Sequence, residues 1–170
     1  MKQIKNVFIA LVLFVGVYQF ANAQKVAHIN VQALMESYPE YTKANKQLET
    51  TAETFEKDYK GLVTEFTSKR DKYIAEEGNV SDAINQERAV ELQNMEKSIR
   101  DFAAEAQKKL DEKKVELHKP IMEKVQAAID KVAKAKGYEY VFDSTLGASN
   151  ILVANGPDMI ADVKKELGIK

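Results

Sequence analysis

The chain has 170 residues with neither Cys nor Trp, 30% charged side chains close to balance (net charge −1), and few Gly or Pro. Such a composition bounds it to about one domain rich in long helices, and excludes a disulfide framework, a Cys-ligated zinc site and a lipid-modified cysteine. Its charges are mixed in sign along the chain, the pattern of a solvated surface and not of a nucleic-acid track.

The first 23 residues read as an export signal. Lys2 and Lys5 open it, residues 7–17 form an apolar run broken only by Gly16, and Ala21-Asn22-Ala23 supplies a small-x-small cleavage site before Gln24. The alternative, an uncleaved membrane anchor, needs about 20 apolar residues, more than this run provides. Cleavage after Ala23 removes Lys2 and Lys5 from 25 basic residues set against 26 acidic ones, so the mature chain carries a net charge of −3. The expected location is outside the cytoplasm, and the periplasm if the source has two membranes. ATP is not expected there.

Residues 25–30, Lys-Val-Ala-His-Ile-Asn, read as a short strand ending at a helix cap. Asn30 suits the cap of a short helix over 31–37 carrying Leu34 and Met35, and Pro39 ends it and suits the first turn of the next.

Residues 40–77 and 81–119 are two helical stretches of matched length. Each would reach roughly 57 Å at the helical rise. In the first, Leu48, Ala52, Phe55, Tyr59, Leu62 and Phe66 alternate four and three apart, a seam for one partner helix. Lys69 interrupts it, Tyr73 resumes it, and Gly61 lies opposite. Between the stretches, Gly78 is placed for the left-handed conformation that closes a helix, and Ser81 or Asp82 for capping the next. The return stretch carries Ile84, Leu92, Met95, Ile99, Phe102, Ala106, Leu110 and Leu117. Read from the turn, Tyr73 meets the level of Ile84 and Arg88, Phe66 that of Leu92 and Met95, and Phe55 that of Phe102 and Ala106. The two stretches form an antiparallel hairpin. Pro120 then predicts a kink or a 3₁₀ step and marks the joint between arm and body, while Ile121, Val125, Ile129 and Val132 carry an apolar stripe on to Gly137.

Residues 138–143 alternate with period two and are rich in β-formers; residues 150–154 predict another strand. Asp158 is placed to cap a final helix over 159–166. The fold class is α+β, predominantly helical: a small β body (24–38 and 121–170) with a long antiparallel helical-hairpin, or coiled-coil, arm (39–120). So few strands leave exposed edges, and the body is too small to support such an arm alone. Oligomerisation through the body resolves both problems, with Val26, Ile29, Tyr140, Phe142, Ile151 and Val153 as candidates for body packing and inter-subunit contact.

Catalytic chemistry is not legible. His28 and His118 have no second ligand at helical spacing, and no phosphate-binding loop, dinucleotide fingerprint, nucleophile elbow or zinc-protease helix occurs. Asp143-Ser144 reads as a strand end followed by a serine turn. No enzyme activity, cofactor or metal is expected. What remains is the arm surface, where Val63, Ile74, Val90, Ala103 and Val115 lie off the seam. Their functional reading is a dilute apolar lining that holds unfolded chains weakly at many points.

The order of elements, and in particular residues 25–30, 129–143 (Ile129-Asp130-Lys131-Val132-Ala133 to Tyr140-Val141-Phe142-Asp143) and 160–164, resembles the Skp/OmpH family of periplasmic chaperones. The resemblance implies a homotrimer whose body strands form a small barrel, with three arms around a cavity. There unfolded outer-membrane β-barrel proteins are held without ATP. Better-known members are strongly basic, whereas this mature chain is mildly acidic, with Glu76, Glu77 and Asp82 near its turn. That departure counts against the lipopolysaccharide or anionic-membrane contact attributed to basic members. The expected function is thus an ATP-independent holdase of the cell envelope. The alternative is a structural coiled-coil adaptor that binds one folded partner at a compact patch.

Overall fold

The computed structural model describes residues 25–147 and 151–169; the signal segment and Asn150 lie outside them. The elements in order are β1 (Val26–Ile29), α1 (Val31–Glu36), α2 (Pro39–Glu76), a 3₁₀ turn (Glu77–Asn79), α3 (Asp82–Lys136), β2 (Tyr140–Asp143) and α4 (Ile160–Glu166). The chain divides into two compact units, one formed by residues 35–126 and the other by residues 25–34, 127–147 and 151–168.

The larger unit is built around the helical hairpin. Pro39 opens α2, where its missing N–H is no loss, and Tyr38 precedes it in extended geometry. Between Leu48 and Phe102 the hairpin has only a thin core. The seam side chains Leu48, Phe55, Leu62, Phe66, Leu92, Met95, Ile99 and Phe102 are only half-buried, and Ala44 and Ala106 are buried. Local terms therefore carry much of the helicity. Lys46–Glu49, Lys60–Glu56, Lys97–Asp101 and Lys113–Glu116 are intrahelical ion pairs at three- or four-residue spacing. Such solvent-exposed pairs each contribute little and are screened by salt.

Pairing across the hairpin follows the expected levels. Phe55 and Phe102 meet edge to face with centroids 6.3 Å apart, and Tyr41 lies 5.0 Å from His118 near the open end. The residue numbers of cross-helix partners add to about 160 at every level from Tyr41–His118 to Lys69–Glu91, as one unslipped antiparallel register requires. The open end is fastened by Lys124 to Glu40 at 2.7 Å and by His118 Nε2 to Asn45 Oδ1 at 3.0 Å.

One expectation fails in this unit and another is narrowed. Gly78 does not adopt the left-handed conformation: positive φ occurs only at Gly137, Gly147 and Gly168 among the described residues. The end of α2 tightens instead into 3₁₀ winding, with Glu77 N–H bonded to the Ile74 carbonyl, and extended Val80 then reverses the chain. The Ser81 carbonyl accepts from Asn85 N–H, and its hydroxyl reaches Ile84 N–H at 3.4 Å, so it serves as the N-cap of α3. At Pro120 the 3₁₀ alternative does not occur, and α3 continues through it as α-helix. Pro120 is exposed, so its ring lies on the solvent side and the Glu116 carbonyl it deprives of an N–H can turn to water.

In the smaller unit β1 and β2 pair in parallel, Val26 with Tyr140 through Ile29 with Asp143. Parallel pairing needs a long crossover, and here the intervening helices supply it. The other edge of β1 is taken by 157–159: His28 N–H donates to the Pro157 carbonyl and Met159 N–H to the His28 carbonyl. Ala27, Ile29, Leu34, Ala128, Ile129, Val132, Ala133, Met159 and Val163 are buried in this unit. Full burial is worth about 1.5–3 kcal/mol for a side chain such as Leu34 or Val163. Gly137 ends α3 with φ 72°; Tyr138 N–H bonds the Ala133 carbonyl and Gly137 N–H the Lys134 carbonyl, a closure that needs a residue free to turn left-handed. The strand expected over 150–154 is not formed in its described part, 151–154.

Candidate client-binding and assembly surfaces

The sheet of the smaller unit presents two chemically different faces. Alternation places Ala27, Ile29 and Val141 on one side and Val26, His28, Tyr140 and Phe142 on the other. Ile29 is fully buried and packs the body, whereas Val26, Tyr140 and Phe142 are all exposed. Beyond β2, Leu152 and Val153 are 93% and 73% exposed and Ile151 is half-buried. Leu146, exposed in the same unit, had no signal in the sequence beyond its place in a turn.

Polar contacts anchor the ends of this face. His28 Nε2 lies 3.1 Å from the Gly156 carbonyl, to which it donates, and Nδ1 lies 3.1 Å from Ser144 Oγ. Asp143 Oδ1 accepts from Thr145 N–H, Thr145 Oγ and Val31 N–H. Burial alone would raise the Asp143 carboxyl, but these three donors hold it below its ordinary value. Asn30 Oδ1 accepts from Ala33 N–H and caps α1; Asp158 Oδ1 accepts from Ile160 N–H at the start of α4. Asp143-Ser144 is thus part of a turn-and-cap arrangement with a strand-end role. Lys131–Glu166 and Lys136–Asp162 tie α4 to the last turns of α3.

On the hairpin the five off-seam residues are not gathered into one patch. Ile74 and Val115 are each 63% exposed, Val90 and Ala103 are exposed, and Val63 is half-buried. Helical geometry puts Val63 and Ile74, eleven residues apart, on the same flank of α2, and Val90 and Val115 on the side of α3 facing away from the seam. Tyr59 is also exposed although it belongs to the seam. Apolar surface is therefore spread along and around the hairpin, separated by charged side chains. Among the described residues no group of His, Asp or Glu could hold a metal ion, and no helix is long and apolar enough to cross a membrane.

A two-stranded parallel sheet closed by a short C-terminal helix, combined with a long antiparallel helical hairpin, defines a narrow class of protein, and comparison with known families agrees. The sequence profile of the OmpH-like outer membrane proteins matches residues 25–167, and the chain belongs to that family. It is 27% identical over 148 residues to the chaperone protein Skp of Pectobacterium atrosepticum, covering 85% of this chain and 86% of that one. Its fold is similar to that of a solved structure from Caulobacter crescentus described as an OmpH-like outer membrane chaperone. The TM-score is 0.72 at 15% identity, covering 84% of this chain and 82% of the other.

Proposed function

We propose that this chain is an exported, ATP-independent holdase chaperone. It binds unfolded outer-membrane β-barrel proteins in the periplasm and prevents their aggregation in transit. The observation that carries the reading is the family match over residues 25–167, reinforced by a chaperone relative aligned along 85% of the chain. The surface chemistry agrees with it. Exposed Ile74, Val90, Ala103 and Val115 are dispersed among charges and offer many weak contacts and no dominant one. Such contacts gain affinity by acting together and release a client without an energy source.

The same reading assigns the exposed Val26, Tyr140 and Phe142, with segment 151–154, whose Leu152 and Val153 are exposed, to contacts between copies in a homotrimer. Among the described residues β2 pairs only with β1, and its other edge is chemically suited to pairing with another copy. The 24–38 and 121–170 segments then form the oligomerisation body, 39–120 the arm, and Pro120 their joint. Neither a cofactor nor a nucleic acid enters the proposal.

The test is aggregation of a urea-unfolded outer-membrane barrel diluted into buffer without nucleotide and followed by light scattering. Equimolar trimer suppresses the scattering; undiminished aggregation at excess chaperone contradicts the proposal.

A further inference from the structure

Towards the turn, the apolar seam of the hairpin gives way to a polar one. Lys69 occupies a seam position and donates to Glu91 Oε1 across the interface at 2.6 Å. The Tyr73 hydroxyl donates to the other oxygen of the same carboxylate. One turn nearer the loop, Arg88 stacks its guanidinium 4.5 Å above the Tyr73 ring and donates Nη2 to Glu76 at 2.6 Å. The Arg88 side chain is only 18% exposed, and its Nη1 is buried without a hydrogen-bond partner. Five side chains from both helices thus form one connected cross-helix cluster.

We propose that this cluster is a register lock: it specifies which of several nearly equivalent alignments the two helices adopt. The apolar seam alone does not discriminate well. Its three- and four-residue spacing repeats every seven, so sliding by seven residues carries Leu48 to the place of Phe55, Phe55 to that of Leu62, Met95 to that of Phe102 and Ile99 to that of Ala106. Apolar groups would still face apolar groups. The intrahelical ion pairs, such as Lys60–Glu56 and Lys97–Asp101, would survive any slide unchanged. The lock would not. Displaced by seven residues, Glu91 would lie level with Leu62 in one direction and with Glu76 in the other, stranding a carboxylate against an apolar side chain or against a like charge. A polar interaction that costs desolvation but penalises the wrong alignments more is the best-attested use of charge in a helical seam.

The experiment uses the full mature chain, whose lack of cysteine allows clean labelling. Spin labels on Ser68→Cys and Lys114→Cys, both exposed, in doubly labelled chain assembled with an excess of unlabelled chain, report the axial offset between the helices by pulsed electron resonance. The unaltered lock gives one narrow distance. Replacing it with apolar residues (Lys69→Leu, Arg88→Leu, Glu91→Leu) keeps full helicity and adds a second population displaced by roughly 10 Å, seven residues of rise. Exchanging the pair, Lys69→Glu with Glu91→Lys, keeps the single distance. A single unshifted distance in the apolar variant overturns the proposal, because the turn alone would then set the register. A variant that loses helicity also overturns it, because the cluster would then hold the helices together without choosing between alignments.

Discussion

His28 ties together three stretches far apart in the chain. Its ring meets Ser144, 116 residues away, and the Gly156 carbonyl, 128 residues away, while its backbone pairs on the other side with Pro157 and Met159. Losing both ring contacts in so small a unit should cost about 1–3 kcal/mol, so His28→Ala should lower the thermal midpoint measurably while leaving the far-ultraviolet helical signal below the transition intact. In the sequence His28 was legible only as a strand residue without a metal partner, because nothing local announces contacts at that separation. The left-handed turn expected at Gly78 failed for a related reason: glycine permits positive φ but does not impose it. A Cβ at Gly78 or at Gly61 would touch nothing. Gly61→Ala should therefore stabilise α2 by about 1 kcal/mol, read as a higher denaturation midpoint. A further residue-scale effect concerns pH. Burial, with Lys114 adding to it, lowers the His118 imidazole below its ordinary 6.5. Folding thus favours the neutral ring, which stacks near Tyr41 and bonds Asn45, and the unfolded chain takes the proton first. Stability is unaffected by this group well above pH 6.5 and falls as the pH drops below that value. Thermal melts at pH 7.5 and 5.5 should show a smaller acid shift in His118→Gln than in the parent.

Among the elements, the hairpin was the most legible. Its three-four spacing and the position of its turn determined which levels meet, and Phe55 does meet Phe102 edge to face. The polar cluster at its turn end left a fainter trace: the gap of eight between Ile84 and Leu92, opposite the interruption at Lys69, marks where side chains other than apolar ones face each other. The strand expected over 150–154 illustrates the limit of periodicity. A β-forming run becomes a strand only if a ladder partner is available, and within one chain β1 is already flanked by β2 and by 157–159. Pro120 shows the converse, since a long helix with an exposed proline can wind through it. Pro120→Ala restores the missing backbone bond and should stabilise α3 by about 1–3 kcal/mol, measurable as a higher midpoint in chemical denaturation. An unchanged midpoint would mean that water already satisfies the Glu116 carbonyl fully.

At the scale of the whole molecule, the smaller unit exposes Val26, Tyr140, Phe142, Leu146, Leu152 and Val153. That is a large apolar share for so few residues, and it supports the proposed assembly. Light scattering on the mature chain should give three times the mass of one copy, and Phe142→Asp with Val153→Asp should reduce it to that of one; a monomeric parent would contradict the trimer. The dispersed apolar residues of the hairpin distinguish holding an unfolded client from bridging a folded one. The most direct test places a photo-crosslinker singly at Val63, Ile74, Val90, Ala103 and Val115 and offers the same outer-membrane barrel either unfolded or folded. A holdase with a distributed lining predicts crosslinks of comparable yield from most of these positions to the unfolded form and few to the folded one. Crosslinks confined to one position, or equally strong to the folded barrel, would contradict it and favour an adaptor with a compact binding patch.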